Sequence, residues 1–179
     1  MKITSQEEYG LRCLLRLARA DDGRSLTIPE IAADEGLSVP YVAKLLAVLR
    51  QAGLIDSVRG RAGGYRLAAS PGEISLGSVM TALGEPLFDE PHFCSKHPGT
   101  ETTDGRCVHI GGCTLRALWH TLEEWMRKSL DRITLADLLQ SEGRLTELLR
   151  ARLAEAVLRP DSPLLPVISV STAPNPEVV

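Results

Sequence analysis

The sequence predicts a mainly α-helical fold with a small β-hairpin, and three observations support this prediction. Apolar residues recur at helical spacing in three segments before residue 52 and in a long segment after residue 113. Two short β-rich segments, residues 54–59 and 64–67, flank a glycine-rich tip. With 179 residues, the chain is long enough for one domain with its own core and an appended segment.

The first predicted helix covers residues 7–20, where leucines at helical spacing form one apolar side. Ser5 and Glu8 have the spacing of a capping box at its start. Cys13 lies four residues from both Tyr9 and Leu17, so we expect a small core residue there rather than a metal ligand.

The next two predicted helices form a helix-turn-helix. The second helix begins with a capping box at Thr27 and Glu30 and stops at Gly36, and the third covers residues 39–51 after a short turn. Because a basic, glycine-tipped hairpin follows directly, the arrangement is that of a winged helix-turn-helix. In this fold the second helix of the pair enters the major groove of DNA.

The first residues of the third helix and the hairpin arginines are the candidate DNA contacts. Side chains at the start of a recognition helix meet phosphates and base edges, and wing arginines reach the negative minor groove. The candidate DNA-binding residues are Ser38, Pro40, Tyr41, Lys44, Arg59 and Arg61. The alternative is a protein-interaction module, because a fold alone does not fix a function.

The charge distribution favours a DNA-binding surface in the first part of the chain. The net charge of −3 disfavours nucleic acid as a partner, but residues 1–72 carry 10 Lys and Arg against 8 Asp and Glu, whereas residues 73–179 carry 10 against 15. Aromatic residues make up only 4% of the sequence, which disfavours a base-stacking platform for single strands. The expected partner is therefore a double-stranded DNA operator.

Residues 37–46 and 54–67 are the most distinctive stretches of the sequence. The first reads LSVPYVAKLL, and the second contains the arrangement R-G-x-x-G-G-Y. They resemble the recognition helix and the wing of the IscR/NsrR-type family of winged-helix iron-sulfur transcriptional regulators. The similarity covers about residues 1–140. It implies a dimeric regulator that binds DNA and carries an iron-sulfur cluster.

Three cysteines lie in residues 84–113, a segment whose proline, glycine, histidine and threonine content is typical of a loop. A loop of about 30 residues is usually functional or disordered. Cys94, Cys107 and Cys113 form the pattern C-x12-C-x5-C. Thiolates bind soft metals and iron-sulfur clusters, and disulfides are rare in the cytoplasm. We therefore expect these cysteines to hold one cluster, either [2Fe-2S] or [4Fe-4S].

The resemblance implies where the fourth cluster ligand comes from. In several members of the family it belongs to the first helix of the other subunit, and Glu8 matches that position. The alternative is that Glu8 only closes the capping box with Ser5. The first two cysteines are farther apart than in the commonest family pattern, and Arg116 and Arg12 stand where two subgroups have a histidine. These departures leave the cluster type and the fourth ligand open.

Other ligands and other chemistry are alternatives for the cysteine segment. His92, His97 and His109 lie in the same segment and can replace Glu8 or Cys113, although a solvated loop histidine is the simpler interpretation. Structural zinc favours a short C-x2-4-C pair, which this segment lacks. A metal-free thiol switch is a further alternative.

A long amphipathic helix is predicted over residues 114–131, and its apolar stripe contains both tryptophans of the chain. The stripe consists of Leu115, Leu118, Trp119, Leu122, Trp125, Met126 and Leu130. We expect this dimerisation helix to pack against its twin in a homodimer. The predicted division of the chain is a winged helix-turn-helix domain (1–83), a cluster-binding loop (84–113), the dimerisation helix with a short helix after it (114–140), and a C-terminal helix with a proline-rich extended tail (141–179).

Together these patterns predict a transcriptional regulator, a repressor that senses redox state, nitric oxide or iron-sulfur status. The sequence has no phosphate-binding glycine loop and no flavin or nicotinamide fingerprint, so neither enzyme activity nor a small-molecule substrate is expected. Because it also has no apolar run of about 20 residues and no signal-peptide pattern, we expect a cytoplasmic protein without a membrane partner. The alternative is an iron-sulfur or zinc redox or adaptor protein without sequence-specific DNA binding.

Overall fold

The computed structural model shows a mostly helical chain with a two-stranded antiparallel hairpin, which confirms the predicted fold class. It describes residues 3–20, 24–60, 63–86, 88, 90–97, 107, 109 and 112–158, except for the side chains of residues 90, 91 and 153–158. The elements are α1 (Ser5–Ala18), α2 (Ile28–Glu35), α3 (Val39–Gln51), β1 (Ile55–Val58), β2 (Gly64–Leu67), α4 (Leu76–Leu83), α5 (Glu90–Lys96), α6 (Thr114–Asp131), α7 (Leu135–Leu138) and α8 (Glu142–Leu158). The first seven helices and the hairpin belong to one compact unit, Met1–Ser141, and a second unit begins with α8 at Glu142.

The start of α1 differs from the sequence prediction. Thr4 is the N-cap, and its hydroxyl accepts a hydrogen bond from the Glu7 amide at 3.2 Å. The Glu7 carboxylate accepts a hydrogen bond from the Thr4 amide at 2.7 Å, which completes the capping box. The capping box predicted for Ser5 and Glu8 is therefore wrong by one residue. Glu8 is exposed and takes no part in the cap.

The helix-turn-helix has the predicted boundaries. Thr27 and Glu30 form the capping box of α2, and Gly36 ends the helix in the left-handed conformation with φ 65°. Glycine reaches this conformation without the steric cost that a side chain imposes. Ser38 is the N-cap of α3, but its hydroxyl makes no capping hydrogen bond.

The core of the first unit lies among α1, α2, α3 and β1. Seven large side chains from these elements and the turns between them have no more than 1% of their surface exposed: Leu14, Leu26, Ile31, Leu45, Leu46, Leu49 and Ile55. Cys13 is also completely buried in this cluster, which confirms its predicted place in the core. Burial of apolar surface is the main favourable contribution to folding, so this cluster fixes the relative positions of the three helices.

The hairpin is attached to the core through a short bridge. β1 pairs with β2 in the register Ile55 to Leu67 and Val58 to Gly64. Leu26 and Tyr65 exchange two backbone hydrogen bonds of 2.9 and 2.8 Å, which connect β2 to the segment before α2. A Cβ atom at Gly64 would lie 2.5 Å from the Leu26 carbonyl oxygen, so this close approach requires glycine.

The end of α6 returns to the winged domain and bonds to the start of α4. The Leu76 amide donates to the Ile133 carbonyl at 2.7 Å, and the Leu135 amide donates to the Ile74 carbonyl at 2.9 Å. Gly77 of α4 lies so close to the Asp131 side chain that a Cβ atom there would overlap with it. These contacts fix the carboxyl end of α6 to the same body that carries the helix-turn-helix.

The predicted loop of residues 84–113 is interrupted by a helix. α5 carries Cys94 and lies next to the buried Phe88, whose ring is 4.9 Å from Phe93 and 5.9 Å from His120 of α6. The prediction of an irregular segment is therefore wrong for α5. Its 7 residues are too few to display helical periodicity, and Pro91 in its first turn is a residue that also favours turns.

Candidate DNA-binding surface and cysteine segment

The start of α3 presents an exposed surface formed largely by side chains. Ser38, Pro40 and Lys44 are exposed, as is Val39, which has 46% of its surface accessible. Pro40 has no amide N–H, and the amides of Tyr41 and the next residue both donate to the Ser38 carbonyl at 3.0 Å. Few amide donors are therefore free at this helix end, so any contact with DNA here would depend mainly on side chains.

Tyr41 lies between the candidate DNA surface and the core. Its side chain is half-buried against the core, and its ring meets the ring of Tyr9 edge-on, with the centroids 6.0 Å apart. The contact connects α1 to the first turn of α3. Tyr41 therefore has a packing role in addition to the DNA contact predicted for it.

A second connection between α1 and the helix-turn-helix involves Arg12. Its Nε donates to Glu35 Oε2 at 2.8 Å, and its Nη2 donates to the Glu35 carbonyl oxygen at 3.1 Å. The same guanidinium lies 5.5 Å from the ring centroid of Tyr9. Because Glu35 is the last residue of α2, Arg12 holds the turn of the helix-turn-helix against α1.

Among its described residues, the wing carries two exposed basic side chains, one directly after β1 and one within β2. Arg59 follows β1 directly, and Arg66 lies within β2 with its side chain on the exposed side. Arg61, the other predicted wing contact, lies outside the described residues. The sequence analysis did not select Arg66 or Val39 as candidate DNA contacts. The signals that could have identified them are the alternation of side chains along β2, which places Arg66 on the exposed side, and the position of Val39 in the first turn of α3.

Three of the four cysteines lie in the predicted segment, and all four are free thiols. Cys94 on α5, Cys107, and Cys113 at the start of α6 are each half-buried. Cys113 is the N-cap of α6, where its Sγ accepts a hydrogen bond from the Arg116 amide at 3.4 Å. Within the described residues, the His, Cys, Asp and Glu side chains form no group of three that could hold a metal ion. Cys94, Cys107 and Cys113 therefore do not form such a group in the part of the chain that the structure describes.

The remaining predicted ligand candidates have different surroundings. Glu8 lies on a groove of about 530 Å³ between α1, α4 and α6, whose lining also includes Met80, Met126 and Leu130. His92, His97 and His109 are exposed, and a ring nitrogen of His97 is 2.9 Å from the Phe93 carbonyl oxygen. Burial raises the pKa of Cys13 to about 11, so this thiol stays protonated and is a poor ligand.

The predicted stripe of α6 is largely exposed in the single chain. Between 36% and 60% of the surface is accessible at five of its residues: Leu115, Leu118, Trp119, Leu122 and Trp125. Exposed apolar patches of this kind mark interaction sites. Among the described residues, no helix is long and apolar enough to span a membrane.

Comparison with known proteins identifies the family of the chain. The family model of Rrf2, described as an iron-dependent transcriptional regulator, matches residues 3–141. The chain belongs to the Rrf2 family. This Rrf2-family chain is 36% identical over 140 residues to the protein rrf2 of Nitratidesulfovibrio vulgaris, an alignment that covers 78% of the chain and 88% of the relative. It is 37% identical over 152 residues to the regulator NsrR of Geobacillus kaustophilus, with 85% and 99% of the two chains covered.

Solved structures show the same relationship. The chain is similar to IscR of T. potens with a TM-score of 0.58 and 32% identity over 78% of this chain and 86% of the other. It is similar to CymR, the global cysteine regulator of B. subtilis, with a TM-score of 0.58 and 29% identity over 78% and 96% of the two chains. The resemblance noted in the sequence is thus confirmed. Members of the Rrf2 family are DNA-binding transcriptional regulators, and this chain is accordingly a regulator and not an enzyme.

Proposed function

We propose that this Rrf2-family regulator is a homodimer whose affinity for a double-stranded DNA operator is set by an iron-sulfur cluster on Cys94, Cys107 and Cys113. The observation that carries the proposal is the position of three free, half-buried thiols between the winged domain and an exposed apolar helix. The family description as iron-dependent, and the relatives named IscR and NsrR, support it.

The proposed DNA-binding residues are the exposed side chains at the start of α3 and on the wing. Lys44 would contact phosphate or guanine, and the arginines of the wing would enter the adjacent minor groove. The full set is Ser38, Pro40, Tyr41, Lys44, Arg59 and Arg61. As a bacterial-type transcription regulator, the protein would act on DNA in the cytoplasm.

The proposed cluster site uses residues whose chemistry fits iron. Thiolate is the usual protein ligand of iron-sulfur clusters, and the cluster would be [2Fe-2S] or [4Fe-4S]. Because Glu7 closes the capping box of α1, the neighbouring carboxylate of Glu8 is not required there and would supply the fourth ligand to the partner's cysteines. Because the described cysteines do not form a metal-holding group in the structure, cluster binding would require the segment to rearrange.

The proposed dimer forms through α6. Pairing two exposed stripes would remove leucine and tryptophan side chains from water, which is the usual driving force for such an interface. The groove that contains Glu8 also includes Met126 and Leu130 of α6, so Glu8 lies next to the surface that the partner would cover. A trans ligand is therefore compatible with this dimer.

The proposed regulation connects the cysteine segment to the distance between the two recognition helices. A dimeric helix-turn-helix protein reads half-sites about one helical turn apart, so a small change in the angle between subunits alters affinity strongly. Binding of the cluster by the cysteine segment and by the partner's Glu8 would favour one angle between the two subunits. A redox change, nitric oxide or loss of the cluster would shift the dimers towards a different angle.

The test is to purify the protein without oxygen and to measure iron, sulfide and visible absorption, together with binding to duplexes selected from a random library. We expect a coloured protein that contains iron, and a Kd for the selected duplex that differs between the cluster-loaded and cluster-free forms. Cys107→Ser should remove both the colour and the difference in Kd, whereas the control Cys13→Ala should keep both. A colourless, iron-free protein, or a Cys107→Ser variant with unchanged behaviour, would contradict the proposal.

A metal-free thiol switch is the second candidate, because the three cysteines of the segment are free thiols. A related regulator, CymR of Staphylococcus aureus, has been solved in an oxidised form. For this chain, a thiol switch predicts duplex binding that depends on redox state in a protein without iron. The same set of measurements therefore distinguishes the two candidates.

A further inference from the structure

The exposed side of α3 has few groups that read base edges by hydrogen bonding. Its sequence, VPYVAKLLAVLRQ, contains no acidic residue, no asparagine, and a glutamine only at its last position. Guanine is usually read by Arg or Lys, adenine by Asn or Gln, and cytosine by Asp or Glu. In the first two turns of α3, Lys44 is the one side chain of these types.

The same side of α3 is apolar where a recognition helix meets the bases. Val39 and Pro40 are exposed in the first turn, Ala43 is half-exposed in the second, and Ala47 is exposed in the third. Among the described residues, exposed large hydrophobic side chains occur at Ile3, at five positions of α6 and at Val39. Val39 is therefore an apolar side chain that the fold of the single chain leaves in water.

One base edge in the major groove is itself apolar. Thymine presents a C5-methyl group there, and apolar protein side chains recognise it by contact. We infer that Val39 contacts the C5-methyl group of a thymine in the operator, with Ala43 beside it on the same face of α3. The inference rests on the proposed binding of α3 in the major groove and specifies which base this position selects.

The charge of the helix is compatible with this occupant. Lys44 and Arg50 are both exposed on α3, and the absence of acidic residues from the helix removes a source of repulsion against phosphates. A duplex would thus place phosphates against the cationic side chains and thymine methyl groups against Val39. An apolar protein partner would leave the two cations without a counterpart.

The experiment removes the methyl group from the DNA and the side chain from the protein in turn. Duplexes are first selected from a random library with the wild-type protein, in the cluster-loaded and the cluster-free form. Each thymine of a half-site is then replaced by deoxyuridine, which differs only by the missing methyl group, and Kd is measured for the wild-type protein and Val39→Ala. Val48→Ala is the matched control, because it makes the same change on the half-buried side of α3.

We expect deoxyuridine to weaken binding by the wild-type protein about fourfold at one thymine of each half-site. This factor corresponds to about 0.8 kcal/mol for one buried methyl group, at 1.36 kcal/mol for each factor of ten. Val39→Ala should lose this sensitivity, so that its Kd for the two duplexes agrees within about 1.5-fold, and Val48→Ala should retain it. Alanine favours a helix more than valine does, so Val39→Ala is expected to fold.

Two results would overturn the inference alone. The first is specific binding that deoxyuridine leaves unchanged at every thymine, and the second is a Val39→Ala variant as sensitive as the wild type. Failure of the wild-type protein to select any duplex in either form would instead overturn the proposed function, and the inference with it.

Discussion

Alanine substitutions at Glu7 and Glu8 should have opposite consequences, although the two residues are neighbours on α1. Glu7 accepts a 2.7 Å hydrogen bond from the N-cap amide, whereas Glu8 is exposed and lies outside the capping box. Loss of a capping interaction costs about 1 kcal/mol. For a unit of this size, that cost corresponds to a decrease of about 3 °C in Tm. Glu8→Ala loses only a weak interaction with the helix dipole, which the higher helix propensity of alanine offsets in part.

The assay combines thermal unfolding of the cluster-free protein, followed by circular dichroism, with the absorption spectrum after anaerobic cluster reconstitution. Glu7→Ala should lower Tm by about 3 °C and keep the wild-type spectrum. Glu8→Ala should leave Tm within about 1 °C and change the spectrum, because a cluster ligand is replaced. Equal losses of Tm in the two variants would refute the assignment of the cap. An unchanged spectrum in Glu8→Ala would refute the assignment of the ligand.

Three further predictions concern the winged domain. Gly64→Ala places a Cβ atom 2.5 Å from a backbone carbonyl oxygen and should lower the free energy of unfolding, measured in urea, by about 2 kcal/mol. The control Gly72→Ala, whose Cβ atom meets nothing within 4 Å, should lower it by less than about 0.5 kcal/mol. Equal effects of the two substitutions would contradict the close approach at Gly64. Arg12→Lys keeps the charge but loses the two-point contact with Glu35, so it should lower the free energy of unfolding by about 1 kcal/mol. An unchanged unfolding midpoint would show that the contact is not stabilising. Because burial raises the pKa of Cys13 to about 11, the folded chain retains this proton at a pH where the unfolded chain has lost it. Stability should therefore fall as the pH rises from about 9 through 11, by on the order of 2 kcal/mol more than in Cys13→Ala, and identical pH profiles would disprove the effect.

The sequence was most informative where periodicity and helix boundaries agree. α3 and α6 have the predicted bounds, because each combines an apolar stripe with a clear start or stop. The capping box of α1 was assigned one residue too late, since Thr4 with Glu7 and Ser5 with Glu8 both have the required spacing. Only the geometry of the backbone selects between two overlapping matches to the same motif.

The site was less predictable than the fold. Spacing alone identified Cys94, Cys107 and Cys113 as a set, but it does not fix the distances between their sulfur atoms, which depend on the path of the chain between them. The exposure of Val39 could not be predicted from the sequence either, because valine is usually buried and only the packing of α3 shows that this one is not. The contact between Arg12 and Glu35 joins residues 23 positions apart and leaves no local pattern.

The hydrogen bonds between the end of α6 and the start of α4 hold one end of this long helix against the winged domain. α6 has 18 residues and is therefore about 27 Å long, with Cys113 at its amino end and the hydrogen-bonded joint at its carboxyl end. A displacement of about 3 Å at the thiol end then corresponds to a rotation of only about 6° at the joint. Under the proposed function, chemistry at the Cys113 sulfur atom would therefore change the angle between the two subunits only slightly, and the affinity for two half-sites is sensitive to that angle.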